Sequence, residues 1–336
     1  MKKIISIVGA RPNFIKLDAG LPQIIVHTGQ HHDIDMSKSF FDELVLPPPK
    51  YNLGCNQNQL GKMILKLEGV LVKERPDLVI VYGDANSAAA GAVASYQQRI
   101  PVSHVEAGLR VFDKQMLEEH NRVISDHIAC LNFCPTETAF YNLKKEGLDN
   151  GYLVGDVMID RLVRHKDLFR KKGSKEYILL TCHRAEAVDN PNFMKKFIFA
   201  LSEIKQKIFF LVHPRTKKRI KEFKLGLPKN VKGLKPLGYR ETLKMINNAR
   251  AVVTDSGGLQ KEAYFLKKNC VIIRNETEWP EIVDNHSIFL IRPDEIEYLP
   301  NLLNKDFSDP KVEEGLFGNG RAWKKIKKIL AEKGFL

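Results

Sequence analysis

The chain has 336 residues, a length that suits two domains of about 150 residues each. Its hydrophobic fraction of 43% is ordinary for a globular protein and provides for a sizeable core. The formal net charge is +13, but the lysines are scattered and the sequence has no zinc-finger, RNP or KH signature. We therefore favour a solvated basic surface and a phosphorylated substrate over specific nucleic-acid binding.

The N-terminus predicts a first strand and no targeting segment. Ile4–Val8 is a short apolar run, whereas a signal peptide needs a longer run followed by a small-residue cleavage site. No stretch of about 18 apolar residues occurs, so the sequence predicts no membrane span. We expect a cytoplasmic protein without a membrane partner.

Short runs rich in isoleucine and valine alternate with longer amphipathic stretches. Such runs are typical of buried parallel strands, and their alternation with helices predicts parallel sheets with right-handed crossovers. Strands are predicted at residues 4–8, 23–28, 78–82, 102–106 and 128–134, and in a second series at 177–181, 208–212, 252–254, 270–273 and 287–291.

A polar, charged segment at residues 160–175 separates the two series and predicts a domain boundary. We predict an α/β fold with two Rossmann-like domains facing a cleft, the first over residues 1–162 and the second over residues 163–319. Ligands of such sheets bind beyond the carboxyl ends of the strands. A helix at about 320–336 is expected to pack back on the first domain. Its apolar residues recur at helical spacing: Trp323, Ile326, Ile329 and Leu330.

The loop after the first strand carries two cations, Arg11 and Lys16. At a strand-to-helix turn, such cations can clamp a diphosphate, although two ordinary surface cations would give the same pattern. The loop lacks the G-x-G-x-x-G pattern that docks a dinucleotide, so the sequence predicts no tightly bound NAD.

Three carboxylates are placed at strand ends or in the segment beyond them. Asp84 closes one strand, Glu106 closes the next, and Glu118 lies where a loop leads into a helix. Carboxyl groups that share one cleft can have different pKa values, so that one acts as an acid and another as a base. A helix cap or a surface ion pair would explain any one of them, but this explanation weakens for all three together.

Two histidines follow strands of the second series. His183 is adjacent to Arg184, and His213 is close to Arg215. A lone histidine is more often structural, but two histidines that each lie near an arginine at a strand end favour a phosphate or sugar site.

The segment 254–258, Thr-Asp-Ser-Gly-Gly, joins a predicted strand to a predicted helix. Glycines allow close approach of the backbone to a ligand, and the first-turn amides of a helix attract an anion. A carboxylate at Glu262, about one turn into the helix, is placed to accept the hydroxyls of a ribose. A helix start capped by Ser256 explains the same pattern without a ligand, so alone the segment favours phosphate only modestly.

The sequence predicts no metal site. His31 and His32 lack partner ligands at helical spacing. The five cysteines, an odd number, predict free thiols. Among them, Cys130 and Cys134 lie in an apolar segment and are predicted to be core residues and not metal ligands.

Nine motifs occur in an order that resembles non-hydrolysing UDP-N-acetylglucosamine 2-epimerase, from about residue 4 to residue 320. The ordered set is far more specific than any one of its members. The motifs are Gly-x-Arg-Pro-x-x-Ile-Lys from Gly9, Thr-Gly-Gln-His from Thr28, Gly-Asp from Gly83, His-Val-Glu-Ala-Gly-Leu-Arg from His104, Glu-Glu-x-Asn-Arg from Glu118, Pro-Thr-Glu from Pro135, His-Arg from His183, Thr-Asp-Ser-Gly-Gly-x-Gln-x-Glu from Thr254 and Thr-Glu-x-Pro-Glu from Thr277.

The resemblance implies a GT-B-like pair of Rossmann domains, a homodimer, a UDP-sugar substrate, and no metal or NAD cofactor. It also implies a mechanism in which UDP is eliminated across carbons 1 and 2, giving a 2-acetamidoglucal. UDP then adds back after a proton returns to the opposite face. This chemistry needs acid–base groups near carbon 2 and cations that stabilise the departing diphosphate.

The resemblance also implies roles for individual residues. The catalytic residues it implies are Asp84, Glu106, Glu118 and, on the diphosphate side, His183. The substrate-binding residues it implies are Arg11, Lys16, His213, Ser256, Gly257, Gly258, Glu262 on the ribose, Arg274 and Glu278. A possible activator site for a second UDP-N-acetylglucosamine comprises Gln30, Arg184 and His213.

Several positions depart from the usual family pattern. Cys182 stands where glycine is usual, Trp279 stands where arginine is usual, and the first helix is short. With a tryptophan at position 279, the chain resembles the branch of the family that acts on diacetamido-uronic sugar nucleotides. The alternatives are therefore a 2-epimerase for such a related UDP-acetamido sugar, a hydrolysing 2-epimerase, a UDP-sugar glycosyltransferase, or a sugar-nucleotide sensor without enzymatic activity.

Overall fold

Two compact units divide the chain. Unit 1 comprises Met1–Arg164 and Glu314–Leu336, and unit 2 comprises His165–Glu313. The computed structural model describes residues 2–29, 41–169, 176–283, 287–307 and 310–336. Among these residues, no helix is both long enough and apolar enough to cross a membrane.

Unit 1 contains a seven-stranded parallel sheet with the order β3-β2-β1-β4-β5-β6-β7. The strand order reverses between β1 and β4, and ligands of such sheets bind beyond the carboxyl ends of the strands at this switch point. The strands are β1 Ile4–Val8, β2 Ile24–His27, β3 Tyr51–Asn52, β4 Leu78–Tyr82, β5 Val102–Val105, β6 Leu131–Cys134 and β7 Gly151–Leu153. The helices are α1 Arg11–Lys16, α2 Leu60–Glu74, α3 Asn86–Gln97, α4 Leu117–Ile128, α5 Glu137–Lys145 and α6 Val157–Arg164.

Unit 2 contains a six-stranded parallel sheet with the order β10-β9-β8-β11-β12-β13, so its switch point lies between β8 and β11. The strands are β8 Tyr177–Leu180, β9 Lys207–Leu211, β10 Val231–Leu234, β11 Ala251–Thr254, β12 Asn269–Ile273 and β13 Ile288–Ile291. The α-helices are α7 Ala185–Val188, α8 Pro191–Ser202, α9 Pro214–Glu222, α10 Tyr239–Asn248, α11 Gly257–Phe265, α12 Pro280–Val283 and α13 Leu299–Leu303, and 3₁₀ helices occur at Lys166–Phe169 and Pro293–Tyr298.

The last helix, α14 (Ala322–Glu332), belongs to unit 1. The carboxylate of Asp160 accepts hydrogen bonds from the backbone amides of Ala322 at 2.9 Å and Trp323 at 2.8 Å, and so caps this helix. The Trp323 indole donates to the backbone carbonyl of Lys16 at 2.9 Å. The terminal helix therefore fixes the end of α1, which carries one of the predicted site residues.

Helix α3 packs closely against β1 and β4 because its buried residues are all alanine, serine or glycine. A Cβ added at Gly91 would lie 2.9 Å from both Ile7 and Val81. Any larger residue would therefore push the helix away from the centre of the sheet.

The predicted parallel α/β architecture is confirmed, and all ten predicted strands are present. The prediction missed β3, β7 and β10. Each of the three lies at an edge of its sheet, so none is buried on both faces and none shows the continuous apolar run of a central strand.

Two details of the prediction are wrong. The strand expected at residues 128–134 begins at Leu131, because Ile128 still belongs to α4 and the Ala129 amide bonds to the Ser125 carbonyl at 3.0 Å. Cys130 is exposed in the turn that follows, so it is not a core residue, whereas Cys134 is buried. All five cysteines are free thiols, as predicted.

Candidate active site

The predicted carboxylates of unit 1 lie at the carboxyl edge of its sheet. Asp84 comes two residues after β4, Glu106 comes directly after β5, and Glu118 lies in the first turn of α4. β4 and β5 are neighbours in the sheet, so the structure brings the turns of Asp84 and Glu106 together at this edge.

Lys16 and Glu106 form a buried ion pair between Nζ and Oε2, with side chains that are 5% and 8% exposed. The pair touches the turn after β4, since a Cβ added at Gly83 would lie 2.5 Å from Lys16 Nζ and 3.0 Å from Glu106 Oε2. Gly83 also has a φ of 61°, which favours glycine. Only glycine therefore fits at position 83, between the Lys16–Glu106 ion pair and Asp84.

The backbone of Glu106 is held in an unusual conformation. Its φ is 72°, in the left-handed region, where a residue other than glycine costs about 1–3 kcal/mol. The amides of Glu106 and Ala107 both donate to the Phe133 carbonyl of β6 at 3.1 Å, which holds this turn in place. Such strain is typical of functional positions.

Asp84 is held by Arg122, which ends the Glu-Glu-x-Asn-Arg motif but was given no role from the sequence. Arg122 is 1% exposed, and its Nη2 lies 2.5 Å from Oδ2 of Asp84 while its Nη1 lies 3.0 Å from Oε2 of Glu119. Glu119 in turn accepts hydrogen bonds from the amides of Val111 and Phe112, both at 2.9 Å. The carboxylate of Asp84 thus stays partly exposed but has a fixed, buried cation behind it.

Asn13 is a second residue that the sequence analysis missed. Its side chain accepts from the amides of Gly9 at 3.1 Å and Ala10 at 2.9 Å and donates to the Tyr82 carbonyl at 2.9 Å. It therefore ties the loop after β1 to the end of β4. Arg11, the first residue of α1, follows this loop and is half-buried.

Glu118 is half-buried and makes no ion pair or hydrogen bond through its side chain within the described part of the chain. Its carboxylate is therefore available to a ligand. Gln30, predicted for an activator site, lies outside the residues that the structure describes.

In unit 2, Asp255 follows β11 and has no exposed surface. Its Oδ2 accepts hydrogen bonds from the amides of His183 at 2.5 Å and Arg184 at 2.7 Å, and its Oδ1 lies 3.0 Å from Nδ1 of His183. Burial raises the pKa of Asp255, but the His183 ring and the two amides outweigh it and lower the pKa to about 2. Asp255 is therefore an anion that orients the His183 ring.

The structure brings His183 and His213 together at the carboxyl edge of the sheet in unit 2. Their ring centroids are 5.3 Å apart. His213 is the N-cap of α9, where its Nδ1 accepts from the Arg215 amide at 3.2 Å. Arg184 is anchored nearby, because its Nε donates to the Asp255 carbonyl at 3.1 Å.

Ser256 is the N-cap of α11 and accepts from the Leu259 amide at 3.5 Å, so the capped helix start that explained this segment without a ligand is present. Gly257 and Gly258 form the first turn, whose amides lack partners within the helix. A Cβ added at Gly257 would collide with Oε1 of Glu278. The absence of a side chain thus lets a buried carboxylate approach the helix N-terminus.

Three further predicted residues lie beside this helix start. Arg274 and Glu278 form a buried ion pair between Nη1 and Oε2, and their residues are 3% and 6% exposed. Glu262 of α11 is 4% exposed. Next to it, the Nζ atom of the buried Lys261 lies 4.0 Å from the ring centroid of Trp279, close enough for a cation–π interaction.

The described residues contain no group of three or more histidine, cysteine, aspartate or glutamate side chains that could hold a metal ion. The two sheet edges offer carboxylates paired with cations in unit 1, and histidines, an arginine and a glycine-rich helix start in unit 2. Such groups suit acid–base chemistry on an anionic substrate.

The family model described as UDP-N-acetylglucosamine 2-epimerase matches residues 14–331. The chain belongs to this family. A UDP-N-acetylglucosamine 2-epimerase homolog from Methanococcus maripaludis is 45% identical, with 98% of this chain and 99% of the relative covered. A UDP-2,3-diacetamido-2,3-dideoxy-D-glucuronate 2-epimerase from Pseudomonas aeruginosa is 39% identical, with 98% and 99% covered.

Among solved structures of the family, the UDP-GlcNAc 2-epimerase from Methanocaldococcus jannaschii, in complex with UDP-GlcNAc and UDP, has a TM-score of 0.88 and 40% identity. The comparison covers 98% of this chain and 99% of that chain. The resemblance drawn from the ordered motifs is thereby confirmed, as is the fold class.

Proposed function

We propose that this protein reversibly converts UDP-N-acetylglucosamine to UDP-N-acetylmannosamine by inverting carbon 2, without a metal or NAD cofactor. The observation that carries the proposal is the meeting of Asp84 and the buried Lys16–Glu106 pair at the ends of adjacent strands. Membership of the 2-epimerase family supports it.

The proton on carbon 2 is not acidic, because no carbonyl group is adjacent. In the proposed reaction a carboxylate removes this proton while the bond between carbon 1 and the diphosphate oxygen breaks. The released electron pair forms the double bond of a 2-acetamidoglucal, and UDP leaves as the anion. A proton then adds to carbon 2 from the opposite face, and UDP re-forms its bond to carbon 1.

Asp84, Glu106 and Glu118 are the proposed acid–base groups. Two of them have different surroundings, since Asp84 is partly exposed beside Arg122 whereas Glu106 is buried with Lys16. Different surroundings can separate a proton acceptor from a proton donor. Lys16 is proposed to support the site by holding Glu106.

The nucleotide is assigned to unit 2. We propose that the first-turn amides of α11 and His183 bind the departing diphosphate, because backbone donors at a helix start stabilise developing negative charge. Glu262 is proposed to bind the ribose. The remaining proposed substrate contacts are Arg11, His213, Ser256, Gly257, Gly258, Arg274 and Glu278.

Two further proposals extend the family resemblance. The first is that the protein acts as a homodimer in the cytoplasm.

The second is that Arg184 and His213 belong, with Gln30, to a site for an activating UDP-N-acetylglucosamine. The alternative substrate, in place of UDP-N-acetylglucosamine, is a UDP-diacetamido-uronate, which is favoured by Trp279 and by the 39% identical relative named for that sugar.

The decisive experiment incubates the protein with UDP-N-acetylglucosamine in D₂O and follows the sugar by ¹H NMR. The proposal predicts deuterium at carbon 2 and a mixture with the manno isomer. Free UDP accumulating with free sugar would identify a hydrolysing enzyme. Intact, unexchanged substrate would contradict the proposal for this sugar, and the diacetamido-uronate would then be tested in the same way.

Asp84→Asn should abolish the exchange, because an amide neither accepts nor returns the carbon 2 proton. UDP affinity, measured by isothermal titration calorimetry, should persist because the nucleotide is assigned to unit 2. Asp149→Asn is the matched control in unit 1, since the Asp149 side chain is 87% exposed and pairs only with Lys144 at 2.7 Å among the described residues. Near-normal exchange by Asp84→Asn would show that Asp84 is not catalytic.

A further inference from the structure

We propose that Asp126 is a positioning residue that sets the separation of Asp84 and Glu106, an inference that rests on the proposed function. Asp126 lies on α4 and has no exposed surface. One carboxylate oxygen contacts the ring of His104, which bonds to the turn that carries Asp84. The other oxygen contacts the turn that carries Glu106 directly.

The first connection runs through His104, which is fully buried in β5. Its Nδ1 lies 2.6 Å from Oδ1 of Asp126, and its Nε2 lies 2.8 Å from the carbonyl oxygen of Gly83. A carbonyl oxygen can only accept, so Nε2 donates to Gly83, the residue directly before Asp84. Asp126 therefore orients the ring that holds this turn.

The second connection is direct. Oδ2 of Asp126 accepts from the Gly108 amide at 3.1 Å and from Nη1 of Arg110 at 2.7 Å. Gly108 follows Glu106 by two residues, has a φ of 81°, and would collide through an added Cβ with the Ala139 carbonyl. The turn that carries Glu106 is thus fastened to the same carboxylate.

Charge holds this cluster together. Burial raises the pKa of Asp126, but His104 and Arg110 outweigh it and leave the pKa below its ordinary value. Asp126 is therefore an anion, and Nδ1 of His104 donates to it. Arg110 is fixed on its other side by two hydrogen bonds of 2.7 Å to Glu146.

The two connections of Asp126 are expected to affect the rate of the reaction more than the binding of UDP. A displacement of about 1 Å at a reacting group can cost about 100-fold in rate. Neither connection involves the residues of unit 2 to which the nucleotide is assigned. Loosening the two turns should therefore lower kcat while the affinity for UDP is kept.

Asp126→Ala tests this inference, because it removes both carboxylate oxygens. The His104 ring and the Gly108 amide then lose the acceptor that they share, so both connections are lost. We expect kcat for carbon 2 inversion to fall about 100-fold, with unchanged KM and unchanged affinity for UDP.

Glu74→Gln is the matched control, because Glu74 is also a buried carboxylate of unit 1 with three side-chain donors. These are Lys50 Nζ at 2.7 Å, the Tyr51 hydroxyl at 2.5 Å and Lys3 Nζ at 3.4 Å. Glu74 ends α2, and Lys3 directly precedes β1, so this cluster lies at the amino ends of the strands. Glu74→Gln should lower the melting temperature and leave kcat unchanged.

A pair of His104 variants separates positioning from packing. His104→Gln places an amide donor near the position of Nε2 and can still hold Gly83, whereas His104→Asn places one near Nδ1 and can hold only Asp126. We expect His104→Gln to retain at least tenfold more kcat than His104→Asn, on the order of the loss per misplaced group.

These measurements distinguish the possible failures. Absence of exchange in the wild-type protein would contradict the proposed function itself. If the wild type is active, equal kcat in Asp126→Ala and Glu74→Gln would overturn the inference. Should Asp126→Ala fail to fold, equal kcat in the two His104 variants would overturn it instead.

Discussion

At Gly257 the structure leaves no room for a side chain. The carboxylate of Glu278 occupies the place of the missing Cβ, and it cannot move freely because it is buried and paired with Arg274. Overpacking of such a site costs about 1–3 kcal/mol. The glycine therefore allows the buried carboxylate of Glu278 to lie close to the helix start. It is also proposed to allow a diphosphate to approach.

We predict that Gly257→Ala weakens UDP binding about tenfold, which corresponds to about 1.4 kcal/mol. The added methyl group must displace Glu278 and disturb the helix start that is assigned to the diphosphate. Isothermal titration calorimetry with UDP measures the change. Gly226→Ala is the control in unit 2, because nothing lies within 4 Å of an added Cβ at Gly226. Equal UDP affinity in both variants would remove Gly257 from the proposed nucleotide site.

The candidate site residues could be read from the sequence, but most of the residues that hold them could not. Asp84 and Glu106 follow apolar runs, and the end of a strand is a place that a one-dimensional pattern shows. Arg122 and Asp126 lie on an amphipathic helix, where charged residues ordinarily face solvent. Only the fold shows that they point to the carboxyl edge of the sheet.

Helix α14 stabilises unit 1, although it lies far along the chain from the other helices of that unit. Asp160 of α6 caps it, and Trp323 ties it to the carbonyl of Lys16. The apolar spacing predicted this helix, and the structure buries Trp323, Ile326 and Leu330 in unit 1. Its cap could not be predicted, because Asp160 lies more than 150 residues before the helix.

Asp160→Ala should destabilise unit 1, since two buried backbone amides lose their acceptor. Loss of a helix cap costs about 0.5–2 kcal/mol, and we expect the melting temperature of unit 1 to fall by several degrees. Glu332→Ala at the other end of α14 is the control, because its pair with Lys328 is exposed and spans 3.7 Å. The expectation is contradicted if both variants melt at the wild-type temperature.

Each of the two units contains one of the two tryptophans, Trp323 in unit 1 and Trp279 in unit 2. They are 4% and 1% exposed, so each should report the unfolding of its own unit by fluorescence. Trp279→Phe leaves Trp323 as the reporter of unit 1. The effect of acid on stability can then be assigned to unit 1.

Each unit also contains a buried carboxylate with a strongly lowered pKa. In unit 2 this is Asp255, whose pKa is lowered to about 2 by His183 and two backbone amides, which outweigh the effect of burial. In unit 1 the hydrogen bonds from Lys50 and Tyr51 lower the pKa of Glu74 from 4.5 to about 2. A carboxylate with a lowered pKa stabilises the fold fully above its ordinary pKa and loses this contribution as the pH falls to the folded value. The window for Glu74 therefore runs from about pH 4.5 down to about pH 2.

We predict that unit 1 loses stability across this window and that Glu74 is one cause. In the Trp279→Phe background, Glu74→Gln should be less stable than its parent at pH 7, and the difference should shrink as the pH falls from 4.5 to 2. The reason is that protonation removes from the parent the same charge that the substitution removes from the variant. Urea unfolding at a series of pH values, followed by Trp323 fluorescence, measures the difference directly. A difference that stays constant down to pH 2 would mean that the Glu74 cluster stabilises unit 1 through its shape and not through its charge.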